Sequence, residues 1–136
     1  MNFKTSLAIL AALFLSGCAG VMLPGRMYAH PSGRTLQFQI QTSYGNGRMT
    51  AADSVTGEKF SGEYSGFYKG QGSVVGNVGG IGVSLFKPPT VANAFGILVG
   101  DKGTTIRLYF EIKPGLRPTG HGTGRDQAGK EYEVFF

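Results

Sequence analysis

Cysteine, histidine, tryptophan and charge are all scarce in this chain of 136 residues, and the shortages exclude several kinds of site. Cys18 is the only cysteine, there are two histidines, tryptophan is absent, and charged residues make up 15% of the chain. One cysteine leaves no internal disulfide and no cysteine-based metal site. His30 and His121 lack the spacing of a zinc motif, since the chain has no HExxH and no His-x-His. We therefore expect no metal and no dissociable cofactor.

Motifs of catalysis are missing as well. The chain has no Gly-x-Ser-x-Gly elbow, and Gly120-x-Gly122-x-Gly124 lacks both the Gly-Lys-Ser/Thr of a phosphate loop and a following helix. The eight carboxylates fall in predicted turns or at outward and edge positions of strands, so no acid pair is indicated. Asp53 and Asp126 are interpreted as turn formers. The sequence thus predicts a protein that is not an enzyme.

The positive charge is modest and dispersed. The formal net charge is +5, whereas nucleic-acid binders usually gather their lysines and arginines on one element. Here the basic residues are spread almost evenly, which predicts solvated surface charge and no nucleic-acid partner. An anionic polymer of the cell envelope is kept as an alternative partner. The basic residues after the leader's Lys4 include Arg34, Arg48, Lys59, Lys69, Lys87, Lys102, Arg107, Lys113, Arg117, Arg125 and Lys130.

The N-terminus has the three parts of a secretion signal. Lys4 precedes an apolar run from Leu7 to Leu15, which is too short for a bilayer core that needs about 20 residues. The run ends in Leu15-Ser16-Gly17-Cys18, an apolar branched residue and two small residues before cysteine. With this lipobox, the first twenty residues resemble a bacterial lipoprotein precursor. Residues 1–17 are accordingly predicted to be a lipoprotein signal peptide.

The resemblance implies a covalent modification of Cys18 and a location in the cell. Cys18 would carry a diacylglyceryl thioether, cleavage would occur before it, and its new amino group would be acylated. Several acyl chains hold a protein on a membrane firmly, because one chain binds only marginally. Ala19 stands where an aspartate commonly signals inner-membrane retention, which implies the outer membrane of a Gram-negative cell. The alternatives are a plain secreted protein and a short N-terminal membrane helix.

Residues 18–33 are predicted to be the lipidated N-terminus and a tether. Pro24, Gly25, Pro31 and Gly33 interrupt this stretch, and it has no repeated period. Fully extended it would reach about 50 Å. Its apolar residues suggest that part of it packs on the domain or the lipid surface, which keeps the domain close to the membrane.

Residues 34–136 are predicted to form one antiparallel β-domain. Apolar side chains recur every second residue in the two clearest strands, first at Leu36, Phe38 and Ile40, later at Ile106, Leu108, Phe110 and Ile112. Turns are predicted at 44–47, 53–57, 100–103 and 126–129, because Asp, Asn and Gly cluster there. Seven or eight short strands with turns every 8–12 residues favour a small antiparallel β-barrel or sandwich.

The glycine-rich segment 62–82 admits two interpretations. Gly62, Gly66 and Gly70 are spaced by four residues, as are Gly72, Gly76 and Gly80, a spacing that lets membrane helices approach closely. Against a membrane helix, Glu63 and other polar residues interrupt the run. We therefore favour a flexible loop or a glycine-rich hairpin, with a strand beginning near Ile81.

Exposed aromatic residues are the remaining candidates for binding. Alternation puts Tyr109 and Phe135 on the outer face, and Phe67-Tyr68 borders the glycine-rich segment. The function predicted from all of this is noncatalytic binding or structural support in the envelope, by a periplasm-facing domain anchored in the outer membrane. Two alternatives stay open: a small integral outer-membrane β-barrel, indicated by the aromatic C-terminal strand, and a lipid-anchored inhibitor of an enzyme such as lysozyme.

Overall fold

The computed structural model describes residues 20–41, 46–69, 72–87 and 91–136; the predicted lipobox, Leu15, Ser16, Gly17 and Cys18, lies outside them. All regular structure in the described ranges is β, and no helix there is long and apolar enough to cross a bilayer. The strands are β1 (Met22–Ala29), β2 (Arg34–Gln41), β3 (Asn46–Asp53), β4 (Lys59–Lys69), β5 (Gly72–Val78), β6 (Ile81–Lys87), β7 (Val91–Gly100), β8 (Thr105–Lys113), β9 (Thr119–Asp126) and β10 (Glu131–Phe135).

Eight of these strands close into an antiparallel barrel, which confirms the predicted fold class. The order around the barrel is β1-β10-β9-β8-β7-β4-β3-β2, so every strand lies beside its neighbours in the chain except where β4 meets β7. There, β5 and β6 form a separate two-stranded hairpin. Eight strands give an interior that side chains can fill.

The up-and-down course of the strands gives the barrel two different ends. The end that we call the N-terminal rim holds Gly20, the junction of Lys69 with Val91, the 114–118 loop and Phe136. The opposite end, the turn rim, holds four tight turns, at 30–33, 54–57, 101–104 and 127–130. In the chain, the β5–β6 hairpin lies between the end of β4 and the start of β7, both of which are at the N-terminal rim.

The core fills the lumen with the side chains that alternation places inward. Phe38 and Leu36 of β2 and Leu108 of β8 are at most 1% exposed, as the period of two predicts. Ile112, also predicted inward, is partly buried near the N-terminal rim. Other members of this core are Met27, Ile40, Met49, Phe60, Tyr64, Leu98, Ile106, Phe110, Tyr132 and Val134.

Glycines in the barrel wall make room for these large side chains. A Cβ on Gly96 would collide with the Met49 side chain, and one on Gly122 would collide with Phe110. At Gly62 the collision would be with the carbonyl of Ile97 on β7. Several of the chain's 23 glycines are thus part of the packing of the lumen.

Aspartates organise the turn rim, as the sequence indicates for Asp53 and Asp126. Asp53 Oδ1 accepts hydrogen bonds from the amides of Val55 and Thr56, and Asp126 Oδ1 accepts from those of Ala128 and Lys130. Gly57 and Gly129 complete these turns at positive φ, a conformation that glycine adopts without strain.

Glu58 links two turns at the same rim. It is 7% exposed, and its carboxylate accepts bonds from the Thr104 amide and hydroxyl and from the Lys102 amide. The predicted turn at 100–103 is therefore tied to the turn at 53–57.

Two predicted boundaries need correction. The predicted tether contains strand β1, which pairs with β2 along its whole length and closes the barrel against β10. Proline and glycine hid this strand, because Gly25 takes an inward position where an apolar side chain is expected. Asn46 and Gly47, predicted to lie in a turn, begin β3 and pair with Ser65 and Tyr64.

The glycine-rich segment is divided between the barrel and the hairpin. Its first residues continue β4, and the later ones form β5, the turn at Gly79 and Gly80, and the start of β6. Gly62 and Gly66, four residues apart, share a face of β4, because an even spacing keeps residues on one side of a strand. Of the two structures that the sequence favours, a flexible loop or a glycine-rich hairpin, the described residues form the hairpin, and they contain no helix.

Candidate functional site

The outer wall of the barrel holds the candidate site, because the described lumen is filled with buried side chains. On this wall, Phe95 of β7 and Tyr109 of β8 are direct register partners. Their ring centroids lie 5.1 Å apart at an interplanar angle of 53°. Tyr109 is 63% exposed and Phe95 37% exposed, so an aromatic pair faces solvent.

The apolar surface continues along β7. Ile97 and Val99 follow Phe95 at every second position and are 37% and 53% exposed. We call Phe95, Ile97 and Val99 the outer β7 stripe. Polar and small residues border the stripe: Ser65, Glu63 and Ser61 on β4 and Arg107 and Thr105 on β8. A contiguous apolar strip with a polar border is typical of a protein interface.

A groove of about 890 Å³ runs along the outer wall from Tyr109 toward β10. Strands β8, β9 and β10 form its floor, and His30 in the first tight turn borders it. Side chains that line it include those of Thr105, Arg107, Tyr109, Thr123, Arg125, Glu131 and Glu133.

The groove carries charges of both signs. Arg107 lies directly opposite Arg125 on the next strand, a pairing of like charges that weakens a sheet unless counter-charges are near. Arg125 Nη2 donates to Glu131 Oε1 at 2.6 Å, and His30 Nε2 lies 3.5 Å from Glu133 Oε2. Arg107 has no ion pair among the residues that the structure describes. This mixture of signs suits a protein surface better than a uniformly anionic polymer.

The other predicted aromatic positions lie away from this pair. Phe135 is 46% exposed and packs edge-on against Tyr28 at 6.1 Å, on a strand separated from β8 by β9. Phe67 and Tyr68 belong to the end of β4, opposite Asn93 and Ala92, and their side chains lie outside the described part of the structure. Tyr109 and Phe135 therefore share a wall without touching.

Sequence reasoning missed Phe95 and the outer β7 stripe. The segment Ala94 to Val99 is apolar at every position, so it has no alternation from which an outer face can be assigned. The stripe could have been predicted from the pairing of β7 with β8. The alternation of polar and apolar residues in β8 is clear, and register partners on neighbouring strands point to the same side of the sheet, so β8 shows which residues of β7 point outward.

Comparison with known proteins identifies no relative of this chain. No protein-family model, no curated protein sequence and no solved structure matches the chain. Within the described residues, no group of three or more histidine, cysteine, aspartate or glutamate side chains is placed to hold a metal ion.

Proposed function

We propose that this chain is a lipid-anchored envelope protein whose barrel is a noncatalytic docking domain for another envelope protein. The observation that carries the proposal is the exposed Phe95–Tyr109 pair beside the outer β7 stripe. Aromatic anchors with an apolar surround and a polar border are where protein interfaces concentrate their binding free energy. The lipobox supports the anchor, and Ala19 supports the outer membrane with the domain facing the periplasm.

The distribution of polar and apolar residues favours this function over an integral barrel. A membrane barrel shows apolar side chains to lipid and holds polar ones inside. Here the lumen is apolar, whereas outward positions in the middle of the strands carry Gln39, Arg48, Glu63 and Arg107. Moving such charges into a bilayer is costly, about 2–4 kcal/mol for an arginine at mid-depth.

Photo-crosslinking in intact cells tests the docking surface. A photoreactive amino acid at Tyr109 should yield a covalent adduct with one envelope protein. The same group at Gln37, an exposed position on β2 outside the candidate surface, should give no adduct of that size. Equal adducts from both positions, or none from Tyr109, would contradict docking through this wall.

Metabolic labelling with a fatty acid tests the anchor separately. The wild-type chain should incorporate the label, and Cys18→Ala should abolish incorporation and leave the precursor uncut. Incorporation that persists in the Cys18→Ala variant would refute lipidation at this residue.

A further inference from the structure

The N-terminal rim differs in charge from the rest of the barrel. No aspartate or glutamate occurs in the sequence segments 19–25, 41–47, 64–93 and 112–120, which include the described strand ends at this rim. The same segments contain Lys69, Lys87, Lys113 and Arg117. Five of the eight acidic residues belong instead to the turn rim, namely Asp53, Glu58, Asp101, Asp126 and Glu131. This end of the barrel is thus predominantly basic, and the acidic residues nearest to it are Glu63, which lines a surface pocket with Gly20, and Glu111, the register partner of Asn93.

The β5–β6 hairpin presents a second unusual feature at this rim. In its register Val78 lies opposite Ile81 and Val74 opposite Leu85, so alternation puts these four residues on one face. The face is completed by Gly76 and Val83 and contains no polar residue between Val74 and Leu85. Ile81, beside the Gly79-Gly80 turn, is 70% exposed. A lone two-stranded ribbon is only marginally stable in water, and a second surface placed against this face would stabilise it.

Single apolar residues project at the same rim. Leu116, in the loop between Lys113 and Arg117, is fully exposed, and Val21 is 67% exposed. An exposed leucine flanked by two cations is typical of segments that lie in the interface of an anionic membrane.

The chain's own geometry brings this rim to a membrane. Met22 begins β1 at the N-terminal rim, and Cys18 precedes it by four residues. Four extended residues span at most about 13 Å. Acyl chains on Cys18 would therefore hold the N-terminal rim, and not the turn rim, against the lipid surface.

We propose that the N-terminal rim and the apolar face of the β5–β6 hairpin form a second contact with an anionic lipid bilayer. The cations of the rim meet the headgroups, and the face that contains Ile81, together with Leu116, enters the boundary between headgroups and acyl chains. The inference rests on the proposed lipid anchor only for its orientation. A second copy of the chain fits less well, because it would bring two basic rims together.

Single introduced cysteines in the full chain test the contact. Ile81→Cys and Leu116→Cys probe the rim, and Val55→Cys in a turn of the opposite rim is the control, since Val55 is an apolar residue that is also 72% exposed. Each purified, lipid-processed protein is labelled with a polarity-sensitive fluorophore and reconstituted into vesicles of phosphatidylethanolamine and phosphatidylglycerol.

Labels at positions 81 and 116 should shift their emission to the blue and be quenched by lipids that carry a quencher at the headgroup boundary. The label at position 55 should stay in water. Equal accessibility at positions 81 and 55 would overturn the proposal. Shielding at position 81 that needs no lipid and is accompanied by disulfide-linked dimers of the Ile81→Cys variant would assign the face to a second copy.

Charge reversal separates headgroup attraction from apolar insertion. Lys113→Glu with Arg117→Glu should remove most of the quenching at position 81, whereas Lys59→Glu at the turn rim should leave it unchanged. Unaltered quenching in the double variant would refute the role of the cations.

Failure of the anchor is recognised independently. A lipidated Cys18 has no free thiol, so the wild-type chain should take up no fluorophore. If it does, lipidation fails, and the hairpin is tested in the full-length Cys18→Ala background with the same vesicles, where quenching at position 81 supports the contact and its absence overturns it.

Discussion

Arg34 Nη2 lies 2.8 Å from Asp53 Oδ2, and this ion pair joins the start of β2 to the end of β3 at the turn rim. The Asp53 side chain is 2% exposed and that of Arg34 25% exposed. Asp53 also caps its own turn through Oδ1, so one carboxylate serves both the turn and the pair. Arg34 Nε is buried without a hydrogen-bond partner among the described residues. The contact with Asp53 therefore matters more for stabilising the positive charge of the guanidinium.

Asp53→Asn should therefore destabilise the barrel. The amide keeps an oxygen for the turn but removes the charge that faces Arg34, and a hydrogen bond to a charged group contributes about 1.5–3 kcal/mol. We expect the free energy of unfolding, measured by urea denaturation, to fall by about 2 kcal/mol. A fall below about 0.5 kcal/mol would show that water stabilises the charge of Arg34 once the Asp53 carboxylate is gone.

Glu131→Gln is the matched control for this prediction. It breaks the Arg125–Glu131 pair, whose side chains are 67% and 61% exposed. Exposed pairs contribute little because water screens them, so the change should stay below about 1 kcal/mol. The two variants together compare a buried and an exposed ion pair in one protein.

A second prediction concerns the glycines of the barrel wall. Gly62→Ala places a Cβ against the carbonyl of Ile97, a backbone atom that cannot move away without disturbing the β4–β7 pairing. We expect a loss of about 3 kcal/mol or failure to fold, within the upper range for overpacked sites. Gly115→Ala, with open space around its Cβ and no positive φ, should change the stability by less than about 0.5 kcal/mol in the same urea titration. Similar losses for both variants would contradict the packing role of Gly62.

The strands with polar outer faces could be predicted from the sequence, and the others could not. In β2 and β8, polar residues alternate with apolar ones, so the inward face is evident. In β1, glycine and proline occupy positions at which a polar or an apolar side chain would show which side of the strand points into the barrel. In β7 both faces are apolar, and the outer stripe is visible only once its register with β8 is known.

The candidate site was predicted in part for the same reason. Tyr109 is flanked by Arg107 and Glu111, which mark its face as the outer one. Phe95 has apolar neighbours on both sides, and its partnership with Tyr109 depends on a pairing between strands that the order of residues alone does not specify. The spacing of Gly62 and Gly66 by four likewise fits one face of a helix or of a strand, and the pairing of β4 with β3 and β7 decides between them.

A third prediction follows from the buried Tyr132 at the turn rim. Burial, followed by the hydrogen bond that its hydroxyl donates to Asp126 Oδ2 and by that carboxylate's negative charge, raises the pKa of Tyr132 from 10.0 to about 12. The folded state thus favours the neutral phenol. The resulting stability is fully present below pH 10 and is lost as the pH rises toward 12, by up to about 2–3 kcal/mol.

Tyr132→Phe should flatten this part of the pH dependence. The variant loses one hydrogen bond, about 1 kcal/mol at neutral pH, but it has no phenol to ionise. Urea titrations between pH 9 and about pH 12, together with the ultraviolet absorbance of tyrosinate, compare the two proteins. An identical loss of stability over this range in wild type and variant would contradict the assignment to Tyr132.

A fourth prediction separates binding at the proposed docking surface from the stability of the fold. Tyr109→Ser and Phe95→Ser remove partly exposed rings that pack against each other, so each should lower the free energy of unfolding by no more than about 1 kcal/mol, the usual scale of a cross-strand pair. An interface anchor contributes about 2 kcal/mol or more to binding. With the photoreactive amino acid moved to Thr123, the register partner of Tyr109 on β9, each variant should therefore give at least tenfold less of the crosslinked adduct, at equal abundance in the envelope. Phe135→Ser, on the same wall but away from the pair, is the matched control and should keep the yield. Full crosslinking in Tyr109→Ser and Phe95→Ser would show that the partner binds elsewhere.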